Sequence, residues 1–396
     1  MAINRLPLDS FFEAVHSTAR ISGLTHSFYR YPARFSPLVA REAIKAFTNP
    51  GDIVLDPFIG GGTTLVEASY LGRKGVGIDI NQLATFISLV KTTPLDKSEI
   101  CYIKRWIIKI DQIKLQSRET KPKISIEESY TKNLNDTDTW RIRNVIDHLL
   151  HEVNRINSKN ISNFLRCALL NTGQWALDGR KNIPTIKEFK IKYRSNIHLM
   201  LEGIHTYSET IARHNQESLL WQDGTPAIIL NMSATKLNEI DFLVDKAPSL
   251  VLMSPPYPGI HVLYHRWQIR GRKETPAPFW IANKVDGSGA SYYTISDRKS
   301  TTQNKYFDEM QKFFEALAIV VNKDTTIVQL LAFSNPKSHL KRYLQIMELS
   351  GFREVFFTTK QTHKRLWRSV PNRKWYTGQQ NSNSGSREVV LIHKLK

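Results

Sequence analysis

The residues best suited to chemistry begin with an apolar run, Ile53-Val54-Leu55. It ends on Asp56 and passes through Pro57-Phe58-Ile59 into Gly60-Gly61-Gly62-Thr63-Thr64. The apolar run reads as a buried strand, the glycines as a turn, and Thr64-Leu65-Val66-Glu67-Ala68 as the opening of a helix. Strand, glycine turn and helix N-terminus in that order let backbone approach a nucleoside cofactor closely. Lys74-Gly75-Val76-Gly77-Ile78 reads as a second strand. It ends on Asp79, about twenty residues after the glycines, where a ribose-binding acid belongs. Far downstream, Leu250-Val251-Leu252-Met253 reads as another buried strand and runs into Ser254-Pro255-Pro256-Tyr257. Two successive prolines hold the backbone extended. The Ser254 hydroxyl and the Pro255 carbonyl are therefore acceptors set in place before any substrate arrives. Taken singly, each stretch is also consistent with an ordinary turn after a strand; it is their occurrence in one chain that lifts the cofactor-binding reading.

Asp-Pro-Phe-x-Gly-x-Gly-Thr-Thr, spelled by Asp56 to Thr64, together with Ser-Pro-Pro-Tyr at Ser254 to Tyr257, resembles the amino-group DNA methyltransferases. These enzymes move a methyl group from S-adenosylmethionine to an exocyclic nitrogen of cytosine or adenine. The resemblance covers residues 26–95 and 219–396. It implies an α/β fold: a Rossmann-like methyltransferase sheet, mostly parallel with an antiparallel last strand, carrying a mainly helical insertion. It also implies a cofactor site made by Phe35, Pro37, Asp56, Pro57, Phe58, Gly60, Gly62, Thr63, Thr64 and Asp79. In that site Phe35 and Pro37 close over the methionine end, Asp56 lies near the methionine amino group, and Asp79 takes the ribose hydroxyls.

The same resemblance implies catalysis by Ser254, Pro255, Pro256 and Tyr257. An exocyclic amine is a poor nucleophile because its lone pair is delocalised into the ring. The site must accept its hydrogens as the nitrogen becomes sp³ and cationic. Ser254 and Pro255 suit that task, and Tyr257 is expected to stack on the base. The target atom lies inside the duplex, so the base has to be turned out. Serine at the first motif position goes mostly with N4-cytosine enzymes, whereas Asp or Asn goes mostly with N6-adenine. Cytosine N4 is the expectation, with adenine N6 as the alternative. In adenine-modifying relatives an acid often follows the third strand, and here Ser233 stands there. Two further alternatives are an RNA methyltransferase and a non-catalytic DNA-binding protein on the same fold. Neither Cys101 nor Cys167 lies in a Pro-Cys site, which argues against carbon-5 chemistry.

The elements that position these residues divide the chain into three parts. Residues 1–95 form the N-terminal part of the methyltransferase domain. Residues 96–216 form a helical insertion, expected to recognise the DNA target, and residues 217–396 return to the catalytic part. Helical periodicity dominates the middle, as in Ile142-Val145-Ile146-Leu149-Leu150-Val153. Residues 226–237 read as a strand, the aromatic and basic stretch from Pro258 to Thr302 as irregular, and 359–387 as a basic loop. Histidines such as His26, His261 and His265 are expected to pack or to contact DNA rather than act as bases.

The 396 residues hold 55 Lys and Arg against 36 Asp and Glu, a net +19. Such a surplus favours a polyanionic partner, because each neutralised phosphate releases counterions. Double-stranded DNA is the expected partner, and a cognate restriction endonuclease a second one. No apolar run reaches membrane-spanning length, and no secretory layout opens the chain, so a cytoplasmic location is expected. Two cysteines without CxxC spacing indicate no disulfide framework and no thiolate metal site.

Overall fold

Strands apolar at every position need cover on both faces, and the computed structural model supplies it. It describes residues 6–17, 22–31, 36–112, 128–257, 265–271, 273–287, 293, 300–333, 336–356, 365–369 and 387–396. The main sheet holds β1 (Ile53–Asp56), β2 (Lys74–Ile78), β3 (Ala227–Leu230) and β4 (Leu250–Met253). A separate hairpin holds β5 (Trp267–Ile269) and β6 (Lys273–Thr275). The main sheet then continues with β7 (Thr326–Leu331), β8 (Phe352–Glu354), β9 (Leu366–Ser369) and β10 (Arg387–Leu395). Its order is β3-β2-β1-β4-β7-β10-β8, with β9 also paired to β10.

The five strands from β3 to β7 pair in parallel, and β10 runs antiparallel to β7, β8 and β9. This is the Rossmann-like methyltransferase sheet with its reversed last strand, as expected from the motifs. The chain fills β1, β2 and β3 toward one edge, then crosses back to lay β4 against β1, with Val54 opposite Leu250 and Leu55 opposite Val251. The order reverses between β1 and β4, and in open α/β sheets ligands bind at the carboxyl ends of the strands at such a point.

Side chains alternate across the sheet as a period of two requires. Val54, Leu250, Leu252 and Val328 pack on the layer of α1 (Leu6–His16) and α2 (Pro37–Phe47). Leu55, Val251, Met253 and Ile327 pack on the opposite layer, with Tyr306, Phe314, Tyr343 and Met347. The β1–β2 connection is α3 (Thr63–Tyr70), and α4 (Gln82–Thr92) follows β2.

The middle of the chain is helical: α5 (Lys97–Lys109), α6 (Thr137–Asn154), α7 (Lys159–Leu177) and α8 (Ile186–Gln216). Capping boxes start α5 at Asp96/Glu99 and α8 at Thr185/Glu188. Each satisfies two backbone N–H groups that a helix end leaves open. These helices share one apolar cluster with α4: Leu83, Phe86 and Ile87 lie in it with Ile146, Phe164, Leu169 and Ile197. The remaining helices are α9 (Asp241–Asp245), α10 (Ala277–Ala282), α11 (Ser300–Val320) and α12 (Pro336–Leu349).

Three stretches differ from the sequence reading. The strand expected over 226–237 stops at Leu230, and Ser233 caps a short 3-10 helix, Ala234–Glu239, by accepting from Thr235 N. Within the basic loop expected over 359–387, Leu366–Ser369 pairs with β10 as β9. Between Pro258 and Thr302, the hairpin β5–β6 and helix α10 replace the irregular chain expected there. Its large rings, Trp267, Phe279 and Trp280, are buried, so they fill the core and are closed to a displaced base. Room for Trp267 comes from Gly173 on α7, where a Cβ would stand 2.6 Å from the indole Cη2. The indole N–H donates to Tyr29 Oη over 3.1 Å.

Candidate active site

Both motifs reach the same place. Asp56 closes β1, and Ser254 follows directly on β4, the strand hydrogen-bonded to it. Asp79 follows β2 on the other side of β1. Three candidate positions thus stand in a row at the carboxyl ends of adjacent parallel strands.

Asp56 is buried, and its carboxylate accepts from Phe58 N at 3.0 Å. Burial pushes its pKa up to about 7; the Thr64 hydroxyl and the Phe58 amide pull the other way, and the charge of Asp79 adds to the rise. No Lys, Arg or His pairs with it among the described residues. A buried carboxylate without a cation beside it costs stability, and a site that must receive a cationic group is where such a cost is found. Asp79 accepts from Gly60 N at 3.0 Å through one oxygen and from Asn81 N at 2.8 Å through the other. Each oxygen keeps a lone pair for a further donor. Burial raises this group to about 6.

The glycine turn is shaped by contacts that a side chain would break. Gly62, with φ +75°, is the N-cap of α3. A Cβ there would stand 2.7 Å from Ser88 Oγ and 3.0 Å from Ser88 Cα. Gly60, at φ +45°, lies under the Tyr31 ring, whose Cε1 would be 3.3 Å from a Cβ. Lys91, fully buried in α4, donates to the Gly61 carbonyl over 2.7 Å. The Gly62→Ala substitution combines a left-handed backbone with overlap on α4. It is expected to cost about 2–5 kcal/mol of stability, measured as a shift in the urea midpoint.

Thr63 and Thr64 open α3 and are buried. One turn further along α3, buried Glu67 accepts from His26 at 2.7 Å and from Arg41 at 2.8 and 3.1 Å. Burial raises the Glu67 pKa, but these two partners outweigh it and the net shift is downward. His26 is thereby assigned to packing, its own pKa lowered chiefly by burial. His265 is likewise buried, 4.4 Å from the Tyr293 ring, and His261 lies outside the described residues. Pro57 is buried, while Phe58 meets Phe313 edge-on at 5.0 Å. Pro37 is the first residue of α2. Phe35 lies outside the described residues, although nearby Tyr31 does cover the glycine turn.

Pro255 is buried, and Ser254 and Pro256 are partly open. The Tyr257 ring is only 9% exposed and joins the apolar layer of α11. Its hydroxyl donates to Glu388 Oε1 on β10 over 2.7 Å, and Ser254 Oγ lies 3.4 Å from the same hydroxyl. Ser233, the position where an acid was weighed, is occupied in capping, whereas Asn231 just before it donates to the Asp79 carbonyl over 2.8 Å.

Sequence reasoning missed Lys91, Asn231 and Glu388. Only Lys91 carried a local signal, standing four residues after Ile87 on the apolar stripe of α4.

The donor set fits S-adenosylmethionine: a buried acid with no cation beside it among the described residues, a second acid with free lone pairs, and a glycine turn open to close backbone approach. Residues 4–88 match the DNA methylase family, N6_N4_Mtase. The type II methyltransferase M.MjaII of Methanocaldococcus jannaschii is 33% identical over 104 residues, 26% of this chain and 19% of that protein. The DNA adenine methyltransferase YhdJ of Escherichia coli is 42% identical over 62 residues, 16% of this chain and 21% of that protein. The tRNA (guanine(10)-N2)-dimethyltransferase of M. jannaschii is 33% identical over 108 residues, 25% of this chain and 31% of that protein. The chain therefore spans less than a third of the length of these three relatives. No described helix is long and apolar enough to cross a membrane. Through its glycine-motif segment, the chain is similar to the amino-group DNA methyltransferases of the N4/N6 family.

Proposed function

We propose that this protein transfers the methyl group of S-adenosylmethionine to the exocyclic N4 of cytosine in double-stranded DNA, acting on a base turned out of the helix. The observation that carries this reading is the pairing of β1 with β4, which sets Asp56 beside the Ser254–Tyr257 loop at the order reversal of the sheet. S-adenosylmethionine supplies an electrophilic methyl group on a sulfonium centre. Asp56 would take its ammonium group and Asp79 its ribose hydroxyls, while Tyr31, Phe58, Gly60 and Gly62 would shape the space around it. The Ser254 hydroxyl and the Pro255 carbonyl would accept the hydrogens of the target amine. Serine at the first motif position favours cytosine.

The DNA partner is supported by the +19 charge and by exposed cations on the helical insertion, among them Lys104, Arg105, Arg141, Lys181 and Lys187. The insertion is accordingly the target-recognition region in this reading, and a restriction endonuclease reading the same sequence is its natural companion. Duplex affinity is expected to fall steeply with salt, the slope of log K against log[salt] counting the phosphates neutralised. A slope near zero in fluorescence anisotropy from 50 to 300 mM NaCl would argue against DNA as the partner.

The deciding test is nucleoside mass spectrometry of plasmid DNA from cells expressing the protein, beside a Ser254→Ala control. N4-methylcytosine that is lost in the control supports the reading. N6-methyladenine would replace the base and retain the chemistry. Methylated guanine in tRNA, with unmodified DNA, would transfer the activity to RNA.

A further inference from the structure

The target nitrogen, once methylated, holds one proton too many, and something must take it. From Ser254 Oγ, where that nitrogen is expected to lie, a chain of hydroxyls leads inward. Ser254 Oγ is 3.4 Å from Tyr257 Oη, and Tyr257 Oη donates to Glu388 Oε1 at 2.7 Å. Glu388 sits on β10 directly opposite Arg368 of β9, and Arg368 Nε approaches its second oxygen to 3.4 Å. Both partners of this ion pair are more than nine-tenths buried. A buried carboxylate is tolerated when a cation stands beside it, and Arg368 is that cation. The Tyr306 hydroxyl of α11 is also buried; burial chiefly, and then the nearby Tyr257 phenol, disfavour its ionisation. The chain thus runs through two hydroxyls and ends on a carboxylate.

We propose that Ser254, Tyr257 and Glu388 form a proton relay that carries the amino proton from the methylated base to the Glu388 carboxylate. The proposal rests on the amino-methyl transfer reading above. When the N–H bond breaks, its electron pair returns to nitrogen and the proton passes to Ser254 Oγ. The serine proton moves to Tyr257 Oη, and the tyrosine proton moves to Glu388 Oε1. Both hydroxyls end neutral as they began, the methylated amine is neutral, and Glu388 is a carboxylic acid that returns its proton to water afterwards. Glu388 does not touch the base. It acts through Tyr257, and the same hydrogen bond positions the catalytic loop.

Glu388→Gln separates the two roles, because the amide still accepts from Tyr257 and cannot take up its proton. Two readouts are needed. In protein labelled with 13Cζ-tyrosine, without donor or DNA, the Tyr257 resonance is identified by its loss in Tyr257→Phe, and it is expected to shift in Glu388→Gln. In single-turnover methyl transfer, Glu388→Gln is expected to slow the reaction about 100-fold at pH 7, the low end for lost proton transfer. The loss is expected to shrink toward pH 9.5, where hydroxide can take the proton, with S-adenosylmethionine affinity unchanged. Among the described residues, Ser254, Arg368 and Tyr306 face this carboxylate or the phenol, so a control titration in Tyr306→Phe keeps its contribution apart. A loss equal at every pH, or no loss, overturns the relay. If Glu388→Gln does not fold, Tyr257→Phe cuts the same chain and is held to the same pH test. A wild-type protein that binds the donor and methylates neither DNA nor RNA overturns the transfer reading itself, whatever the variants do.

Discussion

Asp56→Asn is expected to abolish measurable S-adenosylmethionine binding and, at pH 8, to raise the melting temperature of the unliganded protein by several degrees. The two effects share one cause. The Asp56 carboxyl is buried, has no cationic partner among the described residues, and has its pKa raised from 3.8 to about 7. Below pH 3.8 the carboxyl is protonated in the folded and unfolded chains alike, so it costs nothing. Between there and about pH 7 the unfolded chain ionises while the folded one keeps its proton, and stability falls as pH rises. Above about pH 7 the full cost applies, on the order of a few kcal/mol. Asparagine can still accept from Phe58 N and carries no charge, so the gain should be full at pH 8 and vanish near pH 4.

The ammonium group of the cofactor requires the ionised form. In the wild-type protein, affinity should therefore weaken about tenfold per pH unit as pH falls below 7. Calorimetric titration with S-adenosylmethionine from pH 5.5 to 8.5, beside thermal melts of both proteins, measures everything named here. An Asp56→Asn protein that binds normally would remove Asp56 from the cofactor site.

Ser254→Ala carries the second large effect. The hydroxyl is partly open, at the end of β4, and held by the two prolines that follow it. Removing one preorganised acceptor from a developing charge typically costs 10²- to 10³-fold in rate. The alanine protein is expected to lose about that factor in single-turnover methyl transfer. Its S-adenosylmethionine and DNA affinities should stay within about threefold, because the lost interaction strengthens only in the transition state. A variant that transfers at the wild-type rate would leave the Pro255 carbonyl as the acceptor that matters. A variant that instead loses donor affinity would move Ser254 into the cofactor site.

Local order was open to reading in the sequence because it depends on neighbours along the chain. Ile53–Leu55 and Leu250–Met253 are continuous apolar runs, Lys74–Ile78 alternates glycine with apolar residues after its lysine, and each lies in a strand. Asp56 and Asp79 stand where strands end, and the helical periodicity of 142–153 gives α6. Misreadings fell where local pattern and tertiary pairing part company. The β9 segment Leu366–Ser369 is a strand because β10 offers it an edge, and nothing in Leu-Trp-Arg-Ser itself demands one. Trp267, Phe279 and Trp280, interleaved with basic residues, carry no local strand or helix pattern, yet α7 provides Gly173 to receive the first of them in the core.

By itself, then, the sequence determined the strands, the glycine turn, the two acids and the rigid proline loop, since periodicity and backbone restriction act over a few residues. Tertiary structure alone decided that β4 returns beside β1 and so brings residues almost two hundred positions apart to one crevice. It alone set Lys91 against Gly61 and Glu388 against Tyr257. The physical reason is that burial and hydrogen bonding between distant elements depend on how sheets and helices close around a common core. No short stretch of chain carries that information.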